Sequence, residues 1–227
     1  MRANETSRSG KLNWDPTEHY KSSTVAQSYE DERFRSLPGR VFNSREKKCV
    51  ADAIADLPPN SLILDAPCGT GRLAEVLLER GHRVVGLDIS SQMLEVAKIR
   101  LARFGPRFQT RVGDATELVS GEDEFAAALC ARVLMHFPLS EQIKFLRGVA
   151  RATDGKVIFN QSLNTPYQRA RRAAKRMLRN QEPAGYPIST DESQQLIHGA
   201  GLKLVSRRAV MPLVSEAYFF ICEHQRK

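Results

Sequence analysis

Short apolar runs alternate with longer segments of helical periodicity from residue 61 onward. The runs SLILD, RVVGLD, FQTRVGD, FAAALCA and KVIFNQS predict five buried strands, at 61–65, 83–88, 108–114, 125–131 and 156–162. The segments between them predict helices over 70–80, 90–104 and 139–153. Alternation of strands and helices is typical of βαβ units, so we predict an α/β fold whose parallel sheet carries helices on both faces.

The pattern changes at both ends of the chain. Upstream, it predicts helices over 17–35 and 43–57, separated by Leu-Pro-Gly and with Asn43 or Ser44 as the N-cap of the second. Downstream, a helix over 190–199 is followed by the apolar runs LKLVSRRAV and EAYFFICE, which are joined by only five residues. Two adjacent strands without an intervening helix predict an antiparallel hairpin at one edge of the sheet.

Composition limits the class of protein. The chain has 227 residues, enough for one domain, and no apolar run approaches the ~20 residues that a membrane span needs. The polar N-terminal stretch lacks the apolar segment of a secretory signal. Four widely spaced cysteines, without a Cys-x-x-Cys pair, predict reduced thiols, no metal site and a cytoplasmic location.

Positive charge is concentrated in one segment. The net charge is +8, and the stretch RARRAAKRMLR at 169–179 holds six basic residues and no acid, which leaves +2 for the rest of the chain. Its apolar residues recur at helical spacing, so we predict a basic amphipathic helix. Such a helix can be an ordinary solvated surface helix. It is also typical of a helix that binds an acidic acceptor or an anionic membrane.

Three predicted strands each end in an aspartate, at Asp65, Asp88 and Asp114. Ligands of open parallel sheets bind beyond the carboxyl ends of the strands, so we expect the three carboxylates to face one pocket. The turn Gly69-Thr70-Gly71 allows close approach of a ligand to the backbone, and Asp88, 19 residues after Gly69, can accept both hydroxyls of a ribose. The pattern predicts a pocket for an adenosine-like ligand.

The same turn fits the dinucleotide pattern GxGxxA, so a nicotinamide oxidoreductase is an alternative. Asp65, immediately before the turn, would repel a pyrophosphate and favour a cationic ligand. The chain also lacks the additional substrate domain that is usual in dehydrogenases.

The segments LDAPCGTGRLAEVLLERGHRVVGLDISSQMLEVAK, VGDATEL and ARVLMHF together resemble the class I S-adenosylmethionine-dependent methyltransferases, specifically the small-molecule "type 11" group. The resemblance covers about residues 25–162. It implies a Rossmann-like seven-stranded sheet and S-adenosylmethionine as cofactor, with S-adenosylhomocysteine as product. The family usually has glycine where this chain has Pro67.

The resemblance also implies site residues. The acid at Asp65 and the glycine turn would hold the methionine end, Asp88 the ribose, and Asp114 the adenine. The expected cofactor contacts are Tyr29, Arg33, Asp65, Ala66, Gly69, Thr70, Gly71, Asp88, Ile89, Met93, Asp114, Ala115, Ala131 and Arg132.

For the acceptor, His136 is the only histidine near a strand's carboxyl end, so it is the candidate general base. The candidate acceptor contacts are His19, Arg169, Arg172 and Arg176. These residues predict O-methylation of a small or lipid-linked anionic acceptor. An RNA acceptor is an alternative, although the basic run contains no aromatic residue for base stacking. A non-catalytic binding module is another.

We therefore predict a mobile tail at 1–19 and a single methyltransferase domain at 20–227. Within the domain we expect a helical cap at 20–57, a cofactor-binding core at 61–162, a basic acceptor-side insertion at 163–187, and a C-terminal helix and hairpin at 188–227.

Overall fold

Seven strands form one mixed sheet in the computed structural model, which describes residues 36–118, 125–179 and 186–225, and only the backbone of 172 and 175–179. The strands are β1 (Leu62–Asp65), β2 (Arg83–Asp88), β3 (Phe108–Val112), β4 (Phe125–Cys130), β5 (Thr153–Ser162), β6 (Leu202–Ala209) and β7 (Ala217–His224). Their order is β3-β2-β1-β4-β5-β7-β6, and only β7 lies antiparallel to its neighbours. The predicted Rossmann-like sheet with an antiparallel C-terminal hairpin is confirmed.

Six helices surround the sheet in the described part of the chain. They are α1 (Leu37–Ala53), α2 (Ala74–Glu79), α3 (Ser91–Leu101), α4 (Leu139–Arg151), α5 (Pro166–Arg179) and α6 (Thr190–Gly199). Short 3-10 segments occur at Ala102–Arg107, Ala115–Glu117 and Leu134–His136. None of the helices in the described ranges is long and apolar enough to cross a membrane.

The core has two layers because successive strand residues point to opposite faces of the sheet. Ile63 packs with buried residues of α1, α2 and α3, whereas its neighbour Leu64 packs with those of α4 and α6. Phe219 and Phe220 of β7 divide between the two layers in the same way. Apolar residues occupy both faces of the central strands, which is why those strands read as continuous hydrophobic runs in the sequence.

The N-terminal helix begins earlier than predicted. Leu-Pro-Gly at 37–39 forms the first turn of α1, and Ser36 is the N-cap, its hydroxyl accepting from the Gly39 amide at 3.2 Å. Proline is tolerated there because the first helical amides have no carbonyl partner within the helix. The predicted break at this tripeptide, and the predicted caps Asn43 and Ser44, are therefore wrong. The predicted tail at 1–19 and helix at 17–35 lie outside the described residues.

The second helix is shorter than predicted. The pattern indicated a helix over 70–80, but regular helix begins only at Ala74. Gly69 and Gly71 have φ angles of +55° and +77°, which a right-handed helix does not allow. The preceding residues instead form an irregular turn between β1 and α2.

The carboxyl ends of the parallel strands and the β6–β7 connection lie at the same edge of the sheet. The strand order reverses between β1 and β4, which places the topological switch point beside Asp65. Ser162 at the end of β5 pairs with Ala217 at the start of β7, so residues 210–216 reach this edge as well. Ligands of open α/β sheets bind at this edge, beyond the carboxyl ends of the strands.

Candidate functional site

A cavity of about 350 Å³ opens at the switch point. Asp65, Asp88 and Asp114, which follow or end three different strands, all line it. The structure thus brings together the three carboxylates that the strand pattern singled out.

Asp65 is the most deeply buried of these acids, with 1% of its surface exposed. Burial raises its pKa to about 7, and the Cys68 thiol opposes the shift by hydrogen bonding to the carboxylate. Among the described residues, Oδ2 of Asp65 has no hydrogen-bond partner. A buried carboxylate oxygen without a partner is costly, and a cationic or hydrogen-donating ligand would relieve that cost.

Asp88 is held in a fixed orientation by the backbone. Its Oδ2 accepts from the Gly69 amide at 2.8 Å, and its Oδ1 accepts from the Ser90 amide at 2.9 Å. Burial raises the pKa of Asp88, while these amide hydrogen bonds lower it. The carboxylate therefore links the glycine turn to the N-terminus of α3 and remains at the cavity wall.

The two glycines of the turn have different structural roles. A Cβ on Gly69 would meet no atom within 4 Å, so the backbone there borders open space at the cavity. A Cβ on Gly71 would lie 2.7 Å from Cδ1 of Leu101, because α3 packs directly against the turn. Gly69 thus allows close approach of a ligand, and Gly71 allows close approach of a helix.

Asp114 shapes the next part of the wall. Its Oδ1 accepts from the Thr116 amide at 2.8 Å and caps the short 3-10 segment that begins at Ala115. Helix α4 packs against this segment at Gly148, where a Cβ would lie 2.1 Å from the Ala115 carbonyl oxygen. The position of the Asp114 loop thus depends on the absence of a side chain in α4.

The remaining sequence-predicted residues divide into four groups. The cavity is also lined by Gly69, Thr70, Ile89, Met93, Ala115, Ala131, Arg132 and His136. Ala66 and Gly71 do not line it: Ala66 is fully buried with its amide bonded to the Leu129 carbonyl, and Gly71 is covered by α3. His19, Tyr29 and Arg33 lie outside the described residues, as do the side chains of Arg172 and Arg176. Arg169 is exposed on α5 and does not line this cavity.

Sequence reasoning missed a buried charge cluster beside the turn. Glu46 of α1 is fully buried and pairs with Arg72 at 2.7 Å and with Arg132 at 3.0 Å. Arg72 also donates to Asn43 at 2.6 Å, and the Arg132 amide donates to Asn160 at 2.6 Å. In the sequence Glu46 is one polar residue of an amphipathic helix, so its burial depends on contacts between distant segments and has no local signal.

The aromatic side chains on another wall of the cavity were also not predicted from the sequence, because they come together only in the folded chain. Phe137 and Phe145 stack with ring centroids 6.1 Å apart, and both line the cavity beside Glu141 and Lys144. In the described ranges, no group of three or more His, Cys, Asp or Glu side chains is positioned to hold a metal ion.

The fold and this acid-lined cavity define a class of protein, namely the open α/β sheets that carry a ligand site at the topological switch point. Residues 63–155 match the family described as "Methyltransferase domain". The matched segment runs from β1 to the start of β5 and so contains the three acids and the glycine turn that line the cavity.

Curated relatives are similar over part of their length. A ubiquinone biosynthesis O-methyltransferase from Dechloromonas aromatica is 31% identical over 56% of this chain and 54% of its own. One of the same name from Nitrosomonas europaea is 28% identical over 67% of this chain and 65% of its own. A magnesium-protoporphyrin O-methyltransferase from Rhodobacter capsulatus is 24% identical over 66% and 70%. The match to the two ubiquinone enzymes thus spans less than two thirds of their length.

Solved structures share the fold. Magnesium protoporphyrin IX methyltransferase from Synechocystis, crystallised with S-adenosylhomocysteine, superposes with a TM-score of 0.71 at 16% identity, over 89% of this chain and 98% of its own. A TehB-like S-adenosylmethionine-dependent methyltransferase from Corynebacterium glutamicum gives 0.62 at 21% identity, over 90% and 100%.

Proposed function

We propose that this protein transfers a methyl group from S-adenosylmethionine to an oxygen atom of a small acceptor. The observation that carries the proposal is the convergence of Asp65, Asp88 and Asp114 on one cavity, with an oxygen of Asp65 left without a partner. The donor is cationic at its sulfonium and at its ammonium group. Opposite charge nearby stabilises the ionised form of a buried carboxylate, so donor and cavity are complementary.

The lining residues fit the parts of this donor. Asp88 presents an oriented carboxylate to the two ribose hydroxyls, and Gly69 leaves open space beside the backbone. Asp114 and the Ala115 backbone would contact the adenine, with Ile89 and Met93 beside it. Asp65 would hold the methionine end. Tyr29 and Arg33 remain predicted contacts from the segment that precedes α1.

Bound donor supplies an activated methyl group on a positively charged sulfur. The protein's contribution is to hold donor and acceptor in line and to exclude water. His136 lines the cavity from the 3-10 segment that follows β4, and we assign it as the base that takes the acceptor's hydroxyl proton. A hydroxyl is weakly ionised near neutral pH, which is why an oxygen acceptor needs such a base. His136→Gln should keep donor affinity and lose turnover.

The names of the relatives support oxygen as the methylated atom, because those proteins are called O-methyltransferases. The matched family makes hydride transfer with a nicotinamide cofactor the weaker alternative. An RNA acceptor remains the alternative within methyl transfer, and a strongly salt-dependent affinity for generic RNA would favour it.

Calorimetry with S-adenosylhomocysteine tests the donor site. The wild type should bind, and Asp88→Ala should weaken binding about 10- to 100-fold, because hydrogen bonds to a charged group are lost. Asp154→Ala, which removes an exposed carboxylate on β5, is the matched control and should bind like the wild type. Absence of binding by the wild type, or full binding by Asp88→Ala, would contradict the proposed site.

We also propose that the protein is cytoplasmic and binds transiently to an anionic membrane that carries a lipid-linked acceptor. The basic helix α5 supports this proposal. Arg169 is exposed on α5, and so are Ala170, Ala173 and Ala174, three members of the apolar stripe that the sequence predicts. An exposed apolar stripe beside basic residues is typical of helices that lie on anionic surfaces. Co-sedimentation with phosphatidylglycerol vesicles, but not with phosphatidylcholine vesicles, is the expected result. Equal sedimentation with both, or with neither, would contradict it.

A further inference from the structure

A second cavity lies at the same edge of the sheet as the donor cavity. It measures about 450 Å³, is open to the surface, and is bordered by the start of α1, the end of β5, helix α5 and the β6–β7 connection. Arg132, which follows β4, lines both cavities. The two cavities therefore adjoin at Arg132.

Much of the lining of this second cavity is apolar. Phe42, Met135, Met211 and Val214 contribute from three separate segments of the chain. Methionine side chains are flexible and polarisable, and they pack well against ring systems. The volume lies within the range usual for small-molecule sites, so an apolar ring-containing molecule fits the cavity in size and chemistry.

Two guanidinium groups give the cavity its positive charge. Arg132 and Arg171 both line it, and Nε of each is buried without a hydrogen-bond partner among the described residues. Glu46 lies between Arg72 and Arg132, so one carboxylate is shared by two arginines. Glu216 adds one negative charge to the lining. Three arginines (Arg72, Arg132 and Arg171) and two acids (Glu46 and Glu216) give the cluster a formal net charge of +1, which an anionic ligand would complement.

Helix α5 directs one particular arginine to this cavity. Tyr167 and Gln168 donate to the carbonyls of Leu213 and Ser215 at 3.0 and 3.1 Å, and Arg171 donates to the Val214 carbonyl. These three bonds fix the inner face of α5 on the β6–β7 connection. Arg169, two residues earlier, is exposed.

We infer that the second cavity binds the methyl acceptor, and that the acceptor is an apolar ring-containing molecule with one anionic group held by Arg171. The inference rests on the proposed function and refines it: the acceptor's charge is held at the inner face of α5, and the exposed arginines do not hold it. Arg169, the one acceptor contact predicted from the sequence whose side chain is described, does not line this cavity. The assigned base His136 lines the donor cavity and its neighbour Met135 lines the second, so the acceptor's hydroxyl would lie between the two.

Paired fluorescent probes test the inference on the full chain saturated with S-adenosylhomocysteine, which occupies the donor cavity. Anilinonaphthalene sulfonate is aromatic and anionic, and phenylnaphthylamine is its uncharged counterpart. Arg171→Met should weaken sulfonate binding about tenfold and leave the amine unchanged, while Arg171→Lys should keep most of the sulfonate affinity. Arg169→Met is the matched control and should leave both affinities unchanged.

Two results would overturn the inference. One is equal sulfonate binding by the wild type and Arg171→Met, and the other is loss of both probes together. Calorimetry separates this failure from that of the proposed function. If S-adenosylhomocysteine binds normally and the probes fail, only the acceptor assignment is wrong. If S-adenosylhomocysteine does not bind the wild type, the donor site itself is wrong.

Discussion

Asp65 illustrates what one buried carboxylate contributes to this site. The folded protein keeps it almost inaccessible to water, and burial raises its pKa to about 7. At neutral pH the group therefore lies near its midpoint, and a cationic ligand shifts it toward the ionised form. Its charge state and donor binding are then coupled.

This coupling predicts that donor-site affinity rises with pH. A group with a pKa of about 7 is about one-tenth ionised at pH 6 and half ionised at pH 7, so S-adenosylhomocysteine should bind about fivefold more tightly at pH 7. The ligand's own ammonium group stays protonated over this interval. Calorimetry at pH 6 and pH 7, each in two buffers of different ionisation enthalpy, should also detect proton release on binding.

Asp65→Asn is the control for that measurement. It retains the size of the side chain and removes the titrating group, so the pH dependence and the proton release should both disappear. If Asp65→Asn keeps the wild-type pH dependence, the titrating group that is coupled to donor binding is another group of the cavity, and the prediction for Asp65 is wrong.

At the scale of elements, Glu46 connects α1 to the site. Its carboxylate pairs with Arg72 beside the glycine turn and with Arg132 after β4, and all three side chains are largely buried. Removing one partner of a buried ion network leaves the other charges without compensation, which is more costly than the pair is stabilising.

Glu46→Gln should therefore lower the free energy of unfolding by about 3 kcal/mol, measured by urea denaturation. Glu95→Gln provides the matched control, because Glu95 forms an exposed pair with Lys98 on α3 and its loss should change stability by less than about 1 kcal/mol. Equal stability of the two variants would mean that the Glu46 network does not hold α1 in place.

A second prediction at this scale concerns the contact between α4 and the Asp114 loop. Gly148→Ala places a Cβ where the Ala115 carbonyl oxygen lies, so the loop or the helix must move. We expect a loss of about 1–3 kcal/mol in the free energy of unfolding, despite alanine's better helix propensity.

Gly113→Ala is the comparison for stability, since its Cβ would make an ordinary contact of 3.5 Å with Leu87. It should be tolerated in urea denaturation. A stable Gly148→Ala protein would show that the loop adapts without cost.

At the scale of the whole molecule, the four cysteines report on both layers of the core. Cys49 and Cys68 belong to the layer of α1, α2 and α3, and Cys130 and Cys222 to that of α4 and α6. All four are free thiols and buried. Burial raises the pKa of each, for Cys222 to about 12, so the reactive thiolate is disfavoured in the folded state.

Alkylation by iodoacetamide at pH 8 should therefore label none of the four within minutes in the native protein. All four should become reactive in a single urea transition, because the two core layers share one sheet. Mass spectrometry of the labelled peptides gives the readout, and far-UV circular dichroism gives the reference transition. Labelling of one layer before the other would show that the domain unfolds in separate parts.

The sequence by itself determined the α/β class, the strands and the meeting of the three acids. Strand periodicity and the ends of apolar runs are local properties, and parallel strands necessarily bring their carboxyl ends to one edge. That geometric necessity is why Asp65, Asp88 and Asp114 were found without a structure. The same pattern misplaced the starts of α1 and α2, because Pro38 is tolerated in a first turn and the positive φ of Gly71 delays the second helix to Ala74.

Only the tertiary structure decided which charges are buried. Glu46, Arg72 and Arg132 come from segments up to 86 residues apart, and nothing in their local sequence distinguishes them from solvated residues. The same holds for Arg171, which the structure turns toward the second cavity while Arg169 stays exposed. Burial of a polar group depends on which distant elements cover it, and periodicity in one segment carries no information about that cover.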